Sequence, residues 1–85
     1  MYEIEYSPRS IKEFKKFDEN LQDEVHKALE LLKDKNNWEQ LRVHKLQGRL
    51  KGKLSASVNF SYRIIFELNK NLIGVQNIGD HSIYN

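Results

Sequence analysis

The sequence holds 85 residues, with 14 Lys+Arg against 12 Asp+Glu, three His, no Cys, one Pro and one Trp. That length allows one small domain over residues 1–85, which buries about 60–65% of its unfolded surface and favours an open groove over an enclosed cofactor pocket. The absence of Cys excludes disulfides, iron–sulfur clusters and thiolate zinc sites; with no long apolar run and no basic-then-apolar leader in Met1-Tyr2-Glu3-Ile4-Glu5, a cytoplasmic, membrane-free protein is the default expectation.

Tyr2-Glu3-Ile4-Glu5-Tyr6 alternates apolar and acidic residues and predicts a half-buried strand. Ser7-Pro8 then reads as a helix start, because Ser can cap and Pro fits the first helical position, where its missing N–H costs nothing. Ile11, Phe14 and Phe17 follow at helical spacing. Asp18-Glu19-Asn20 interrupts the pattern, and Asn20 is expected to cap a second helix, with Asp23 in its first turn. Leu21, Val25, Ala28, Leu29 and Leu32 form that helix's apolar stripe, which should fade near Lys35-Asn36-Asn37.

Beyond residue 40 the period changes. Val43 to Leu46 suggests a short strand, and Gly48 and Gly52 a tight turn or bulge around Arg49-Leu50-Lys51. From Leu54 to Ser61 apolar and polar residues alternate, which predicts a strand with Leu54, Ala56, Val58 and Phe60 on its buried face. Tyr62 to Leu68 reads as a central strand, Asn69-Lys70-Asn71 as a turn, and Leu72 to Ile78 as the last strand, with a bulge expected at Gly74. The last residues form a polar tail. The expected fold is α+β in two layers: an N-terminal strand and a helical hairpin packed on a mainly antiparallel sheet of four to five strands.

The net charge of +2 conceals a strong asymmetry. Residues 1–39 hold seven Lys/Arg and ten Asp/Glu. Residues 40–66 hold Arg42, Lys45, Arg49, Lys51, Lys53 and Arg63 with no acid at all. Such a stretch points to a polyanion-facing surface.

No phosphate-binding glycine loop, His-Glu-x-x-His or G-x-S-x-G run is present, and His26, His44 and His81 are too far apart in sequence to suggest a metal site. No metal and no cofactor are therefore expected. His, Arg, Lys and Tyr are nonetheless the side chains that cleave RNA without metal. The 2′-OH attacks the adjacent phosphate, and the reaction needs a base, cations for the developing charge and an acid for the departing 5′-oxygen. Arg matches phosphate oxygens with its planar fork, and His titrates near neutrality. On composition alone, a basic domain that binds nucleic acid without cutting it remains open.

Three runs carry a resemblance: His44-Lys45-Leu46-x-Gly48-x-Leu50-Lys51-Gly52, then Ser55-x-Ser57-Val58-Asn59-x-x-Tyr62-Arg63-Ile64-Ile65-Phe66, then Ile78-Gly79-Asp80-His81-x-Ile83-Tyr84. Together they resemble the RelE/ParE toxin superfamily of toxin–antitoxin modules, most closely the RelE and YafQ-like mRNA interferases. The resemblance implies a ribosome-dependent mRNA endoribonuclease whose partners are mRNA, the ribosome with its rRNA, and a cognate antitoxin, the toxin–antitoxin pair forming a hetero-oligomer on operator DNA. It implies that Arg63 stabilises the phosphate, that His81 is the general acid, that His44 assists catalysis and that Tyr84 contacts the substrate base. Lys45, Arg49, Lys51 and Lys53 would bind RNA or phosphate.

Ser57 and Ser61 stand where YafQ-like members carry a second His and an Asp, which leaves fewer proton-transfer groups. Two other functions stay open beside the interferase: a ParE-like DNA gyrase inhibitor and a catalytically weak nucleic-acid-binding relative. Arg63 has a structural alternative as a strand Arg paired with Glu67 or Asp80, His81 as a tail residue, His44 as a hydrogen-bonded edge histidine and Tyr84 as packing of the tail on the sheet, and Trp38 is expected to cover the edge of the core.

Overall fold

The computed structural model describes residues 1–84. Its elements run β1 (Glu3–Tyr6), α1 (Pro8–Lys15), α2 (Glu19–Leu32), β2 (His44–Lys45), β3 (Leu54–Ser57), β4 (Arg63–Asn69) and β5 (Leu72–Gly79). Short 3₁₀ turns occupy Lys35–Asn37, Gly48–Leu50 and His81–Tyr84. The five strands form one sheet in the order β1-β5-β4-β3-β2. β5-β4-β3-β2 is an antiparallel meander, and β1 adds to the edge of β5 in parallel. The α+β expectation and the central place of β4 are thus met. The Cα radius of gyration is 11.8 Å, close to the roughly 12 Å that chain length alone gives.

Local chemistry accounts for most boundaries. Ser7 caps α1, its side chain accepting the Ser10 N–H at 3.0 Å with Pro8 at the first helical position. α2 starts earlier than expected, because the cap is Asp18 and not Asn20: Asp18 Oδ1 accepts the Leu21 N–H at 2.8 Å. α1 closes at Lys16 and Phe17 N–H still bonds Phe14 O, so Asp18 is the first residue free to turn the chain into the next helix. Lys51 accompanies Gly48 and Gly52 in a tight turn; the two glycines have φ of 67° and 93°, where a Cβ would be strained.

The core lies between the helices and one face of the sheet. Val25, Ala28, Leu29 and Leu32 of α2 meet Ala56, Ile64, Phe66, Ile73, Val75 and Ile78. Trp38 closes the edge of this core as expected. It stacks on Tyr2, meets Phe66 edge-on and donates its indole N–H to Leu32 O at 2.8 Å.

Two sequence expectations are corrected here. The irregularity in β5 is at Gln76 and not Gly74, since Ile65 faces Asn77 while the next residue, Phe66, faces Val75. At this point β1 has ended and α1 takes over the edge of β5. Ser7 N–H bonds Val75 O, Ser7 Oγ donates to Gln76 O, and Glu13 Oε1 accepts the Ile78 N–H at 2.9 Å. The predicted strand from Leu54 to Ser61 stops at Ser57. Residues 58–62 form a turn in which Asn59 Oδ1 accepts the N–H groups of Ser61 and Tyr62, and Phe60 stands in solvent at 93% exposure instead of joining the core. β3 is also covered on both sides, because Ser55 is as buried as Ala56.

Candidate active site on the open face of the sheet

Cross-strand partners share a face of a pleated sheet. Ile64 and Phe66 point to the helices, so Arg63, Ile65 and Glu67 point the other way. The pairing extends that second face across the sheet: His44 faces Ser55, Ser55 faces Ile65 and Ile65 faces Asn77; in the next row Ser57 faces Arg63 and Arg63 faces Gly79. The register thus places His44, Ser55, Ser57 and Arg63 on one side of the sheet.

The C-terminal turn His81–Tyr84 folds back over this face. Its start is fixed by Asp80, whose Oδ1 accepts both the N–H and the hydroxyl of Ser82, at 3.0 and 2.6 Å. Those bonds, the side-chain one first, hold the Asp80 carboxyl below its ordinary 3.8, with His81 adding a smaller favourable charge. The turn ends with the Tyr84 hydroxyl 2.6 Å from Ser55 Oγ. His81 and Tyr84 meet edge-on with ring centroids 5.9 Å apart.

Arg63 and His81 line one open concavity of about 670 Å³ together with Arg42, Ser57, Asn59 and Phe60. Arg63 is anchored by one end only. Its Nη1 donates to the carbonyls of Asn59, Phe60 and Tyr62 at 2.7, 3.1 and 3.0 Å. Its structural partners are therefore turn carbonyls and not the Glu67 or Asp80 carboxylates. The carbonyls hold the guanidinium without neutralising it, and among the described residues Nε and Nη2 have no hydrogen-bond partner. Arg42 reaches the same hollow from a backbone position with φ of 53°.

His44 is exposed on the edge strand, its Nδ1 3.0 Å from Arg42 O. A carbonyl only accepts, so Nδ1 carries the proton and Nε2 of the neutral ring keeps its lone pair. The Ser55–Tyr84 pair lies between His44 and the concavity that holds Arg63 and His81.

The lysines do not gather there. Lys53 shares the open face but is engaged by the side chains of Gln76 and, at 3.7 Å, Glu67. Lys45 faces Leu54 in the row that continues to Phe66, and with Lys51 it lines a separate hollow with Leu54 and Leu68, on the helix-bearing side. Arg49 is exposed in the glycine turn. A more apolar hollow of about 300 Å³ opens around α1 and α2, lined by Tyr6, Ile11, Phe14 and His26, and contains none of the candidate residues. Phe60 is the site-lining residue that strand alternation misassigned; the Asn59 and Ser61 beside it are the turn signal in the sequence.

Among the described residues, no helix is long and apolar enough to cross a membrane. No family model matches the chain, and no curated protein matches it in sequence. Solved structures do match its fold. The YoeB–YefM complex from Staphylococcus aureus aligns with a TM-score of 0.75 at 20% identity, over 95% of this chain and 98% of the other. YafQ from Escherichia coli aligns at 0.70 and 21% identity, over 99% and 98%. The toxin–antitoxin complex RelBE2 from Mycobacterium tuberculosis aligns at 0.72 and 17% identity, over 94% and 98%. Over nearly its whole length, the chain has the two-helix, five-stranded fold found in these structures.

Proposed function

We propose that this protein is the toxin of a toxin–antitoxin module and an mRNA endoribonuclease that works on the ribosome and is neutralised by a cognate antitoxin. The observation that carries the reading is the joint placement of Arg63 and His81 in one open concavity, with Arg63 held by carbonyls and two guanidinium nitrogens uncommitted among the described residues. The fold likeness to toxins solved with their antitoxins supports the partner.

In this reading the 2′-OH loses its proton as its oxygen bonds to the adjacent phosphorus. Negative charge grows on the non-bridging oxygens, and the P–O5′ bond breaks to leave a 2′,3′-cyclic phosphate and a 5′-OH. Arg63 stabilises the charge through Nε and Nη2, with Arg42 as a second cation at the same hollow. Protonated His81 gives its proton to the 5′-oxygen. His44 Nε2 is a lone-pair acceptor on the same face and serves as the base once the message is drawn across β2 and β3. Tyr84 contributes to the substrate surface only when its hydroxyl leaves Ser55. Lys45, Lys51 and Arg49, away from the concavity, suit rRNA phosphates better than the scissile one. A domain with so shallow a site depends on the ribosome to hold the message in line.

The test is cleavage of mRNA on programmed ribosomes, mapped to the nucleotide, with wild type and Arg63→Ala, beside growth arrest on expression and its rescue by the antitoxin. Cuts within the reading frame that Arg63→Ala abolishes are expected. Intact mRNA with DNA damage would instead indicate a gyrase inhibitor.

A further inference from the structure

Phe60 is 93% exposed, the most exposed large hydrophobic residue described, yet it is not on a loose loop. Asn59 Oδ1 holds the N–H groups of Ser61 and Tyr62 at 2.9 and 2.8 Å, and Val58 N–H bonds Tyr62 O at 2.9 Å. Asn59 Nδ2 also reaches Glu24 of α2. Arg63 Nη1 takes the carbonyl of Phe60 itself at 3.1 Å. The backbone that presents the ring is therefore pinned by the same guanidinium that lines the concavity, and the ring forms part of that concavity's wall beside Arg42, Arg63 and His81.

Leaving a benzyl side chain in water forgoes the gain of burying it, and a turn of Asn and Ser has no local use for one. A flat π-face beside two guanidinium groups, in a stretch of sequence with no carboxylate, matches a nucleobase attached to its phosphate: the cations hold the backbone and the ring stacks the base. Tyr84 is tied through its hydroxyl to buried Ser55 and is not among the residues lining this concavity. We infer that Phe60 is the base-stacking residue of the site and receives a single-stranded nucleobase next to the phosphate held by Arg63. The inference rests on the ribonuclease reading above and adds the residue that positions the nucleotide. Stacking on a carbon ring is tolerant of base identity, so Phe60 would set affinity and position, and not sequence preference.

The experiment compares wild type, Phe60→Ala, Phe60→Leu and Phe60→Trp for cleavage on programmed ribosomes and for binding a single-stranded RNA decamer. Phe60 buries nothing, so all four should melt together. Removal of one stacked base predicts a loss of roughly 5- to 150-fold in Phe60→Ala. Phe60→Leu, apolar but without a π-face, should fall with Phe60→Ala, while Phe60→Trp holds or exceeds the wild-type value. The indole of Phe60→Trp should also be quenched by the decamer, whereas wild-type Trp38, half-buried against Tyr2 and Phe66 and away from the concavity, stays unchanged. Wild-type cleavage that Phe60→Ala leaves intact overturns the inference and spares the ribonuclease reading. A wild type that neither binds nor cuts RNA overturns both. Unchanged RNA cleavage in Phe60→Ala with weakened antitoxin neutralisation would make the ring a protein contact and also overturn it.

Discussion

The hydroxyl of Tyr84 lies 2.6 Å from the Oγ of Ser55, joining the last turn of the chain to a serine with no exposure in the middle of β3. The two ends of the bond are not equivalent. Tyr84 is half-buried and its hydroxyl can turn to water, whereas Ser55 cannot. Tyr84→Phe should therefore destabilise the protein by about 1–3 kcal/mol, the cost of an unmatched buried hydroxyl, and Ser55→Ala by less than about 1 kcal/mol. The double variant should be more stable than Tyr84→Phe alone. Urea midpoints of the four proteins check this as a thermodynamic cycle; purely additive losses would show that the bond does not couple them.

Arg63 holds a turn with one nitrogen, and its other two have no partner among the described residues. Arg63→Ala is expected to lower cleavage by about 100- to 1000-fold, the scale of losing one donor to developing oxyanion charge. The same change should cost about 1–2 kcal/mol of stability, because the site is part-exposed and water replaces some of the carbonyl bonds. Arg63→Lys should recover little cleavage: one ammonium cannot keep the carbonyls of Asn59, Phe60 and Tyr62 and face a phosphate as well. Cleavage rates beside denaturant midpoints separate the two effects, and a fully active Arg63→Lys would remove the argument from geometry.

Gly79 has no room for a side chain. A Cβ there would stand 2.5 Å from Ile83 Cγ2, within the turn that carries His81 and Tyr84. Gly79→Ala must displace the Ile83 side chain, and with it strain the turn, while the helix-side core stays closed. The expected result is a folded protein with cleavage reduced by up to about 100-fold, the scale that misplacement by an ångström can reach. Pairing with Ile83→Ala, which removes the obstructing methyl, should restore part of it. A Gly79→Ala protein as active as wild type would show that the turn has no role in placing His81.

What the sequence made legible follows its periodicities. The β4 core strand, the apolar stripe of α2 and the Ser7-Pro8 helix start are local patterns, and each appears in the structure. Arg63 and His81 could be nominated because their runs resemble a known family, and the sheet register then brings them to one hollow. The misreadings came where a turn interrupts a strand's alternation or a side chain's partner is remote. Phe60 fits the alternation of a strand, but the Asn59 turn and the carbonyl grip of Arg63 take it out of the sheet. The lysines fall in one basic stretch, yet the pleat sends Lys45 to the face opposite His44, and Lys53 meets Glu67 and Gln76 from two other strands. Gln76, not Gly74, carries the bulge because Ser7, 69 residues away, takes its carbonyl.

Glu13 illustrates the same long reach. Its Oε1 accepts the N–H of Ile78, on the stretch of β5 that β1 is too short to cover. Ile78 is 2% exposed, so water is a poor substitute. Glu13→Ala should cost about 1–3 kcal/mol, while Glu13→Gln, which keeps an acceptor oxygen, should cost clearly less. The Ile78 amide should exchange with deuterium much faster in Glu13→Ala, with the exchange of Ile64 little changed. Equal losses in the two variants would assign the effect to the weak contact with Arg9 at 3.8 Å, and not to the capped strand edge.

The sharpest pH dependence expected of the C-terminal turn comes from Asp80. Its carboxyl lies below the ordinary 3.8, first through the Ser82 hydroxyl, then through the Ser82 N–H. A carboxylate whose acidity is raised by folding stabilises the fold above its unfolded value. That contribution is lost only as the pH falls through the lower, folded value. The Asp80–Ser82 bonds that start the turn should therefore persist from pH 7 to pH 5 and be lost only below about 3.8. The Ser82 amide resonance should move with a midpoint below that value, and in Asp80→Asn it should not titrate. A Ser82 midpoint at or above the ordinary aspartate value would mean that the carboxylate does not organise the turn, leaving the Tyr84–Ser55 bond, the Ile83 N–H bond to Asp80 O and the packing of Ile83 on Gly79 to hold it.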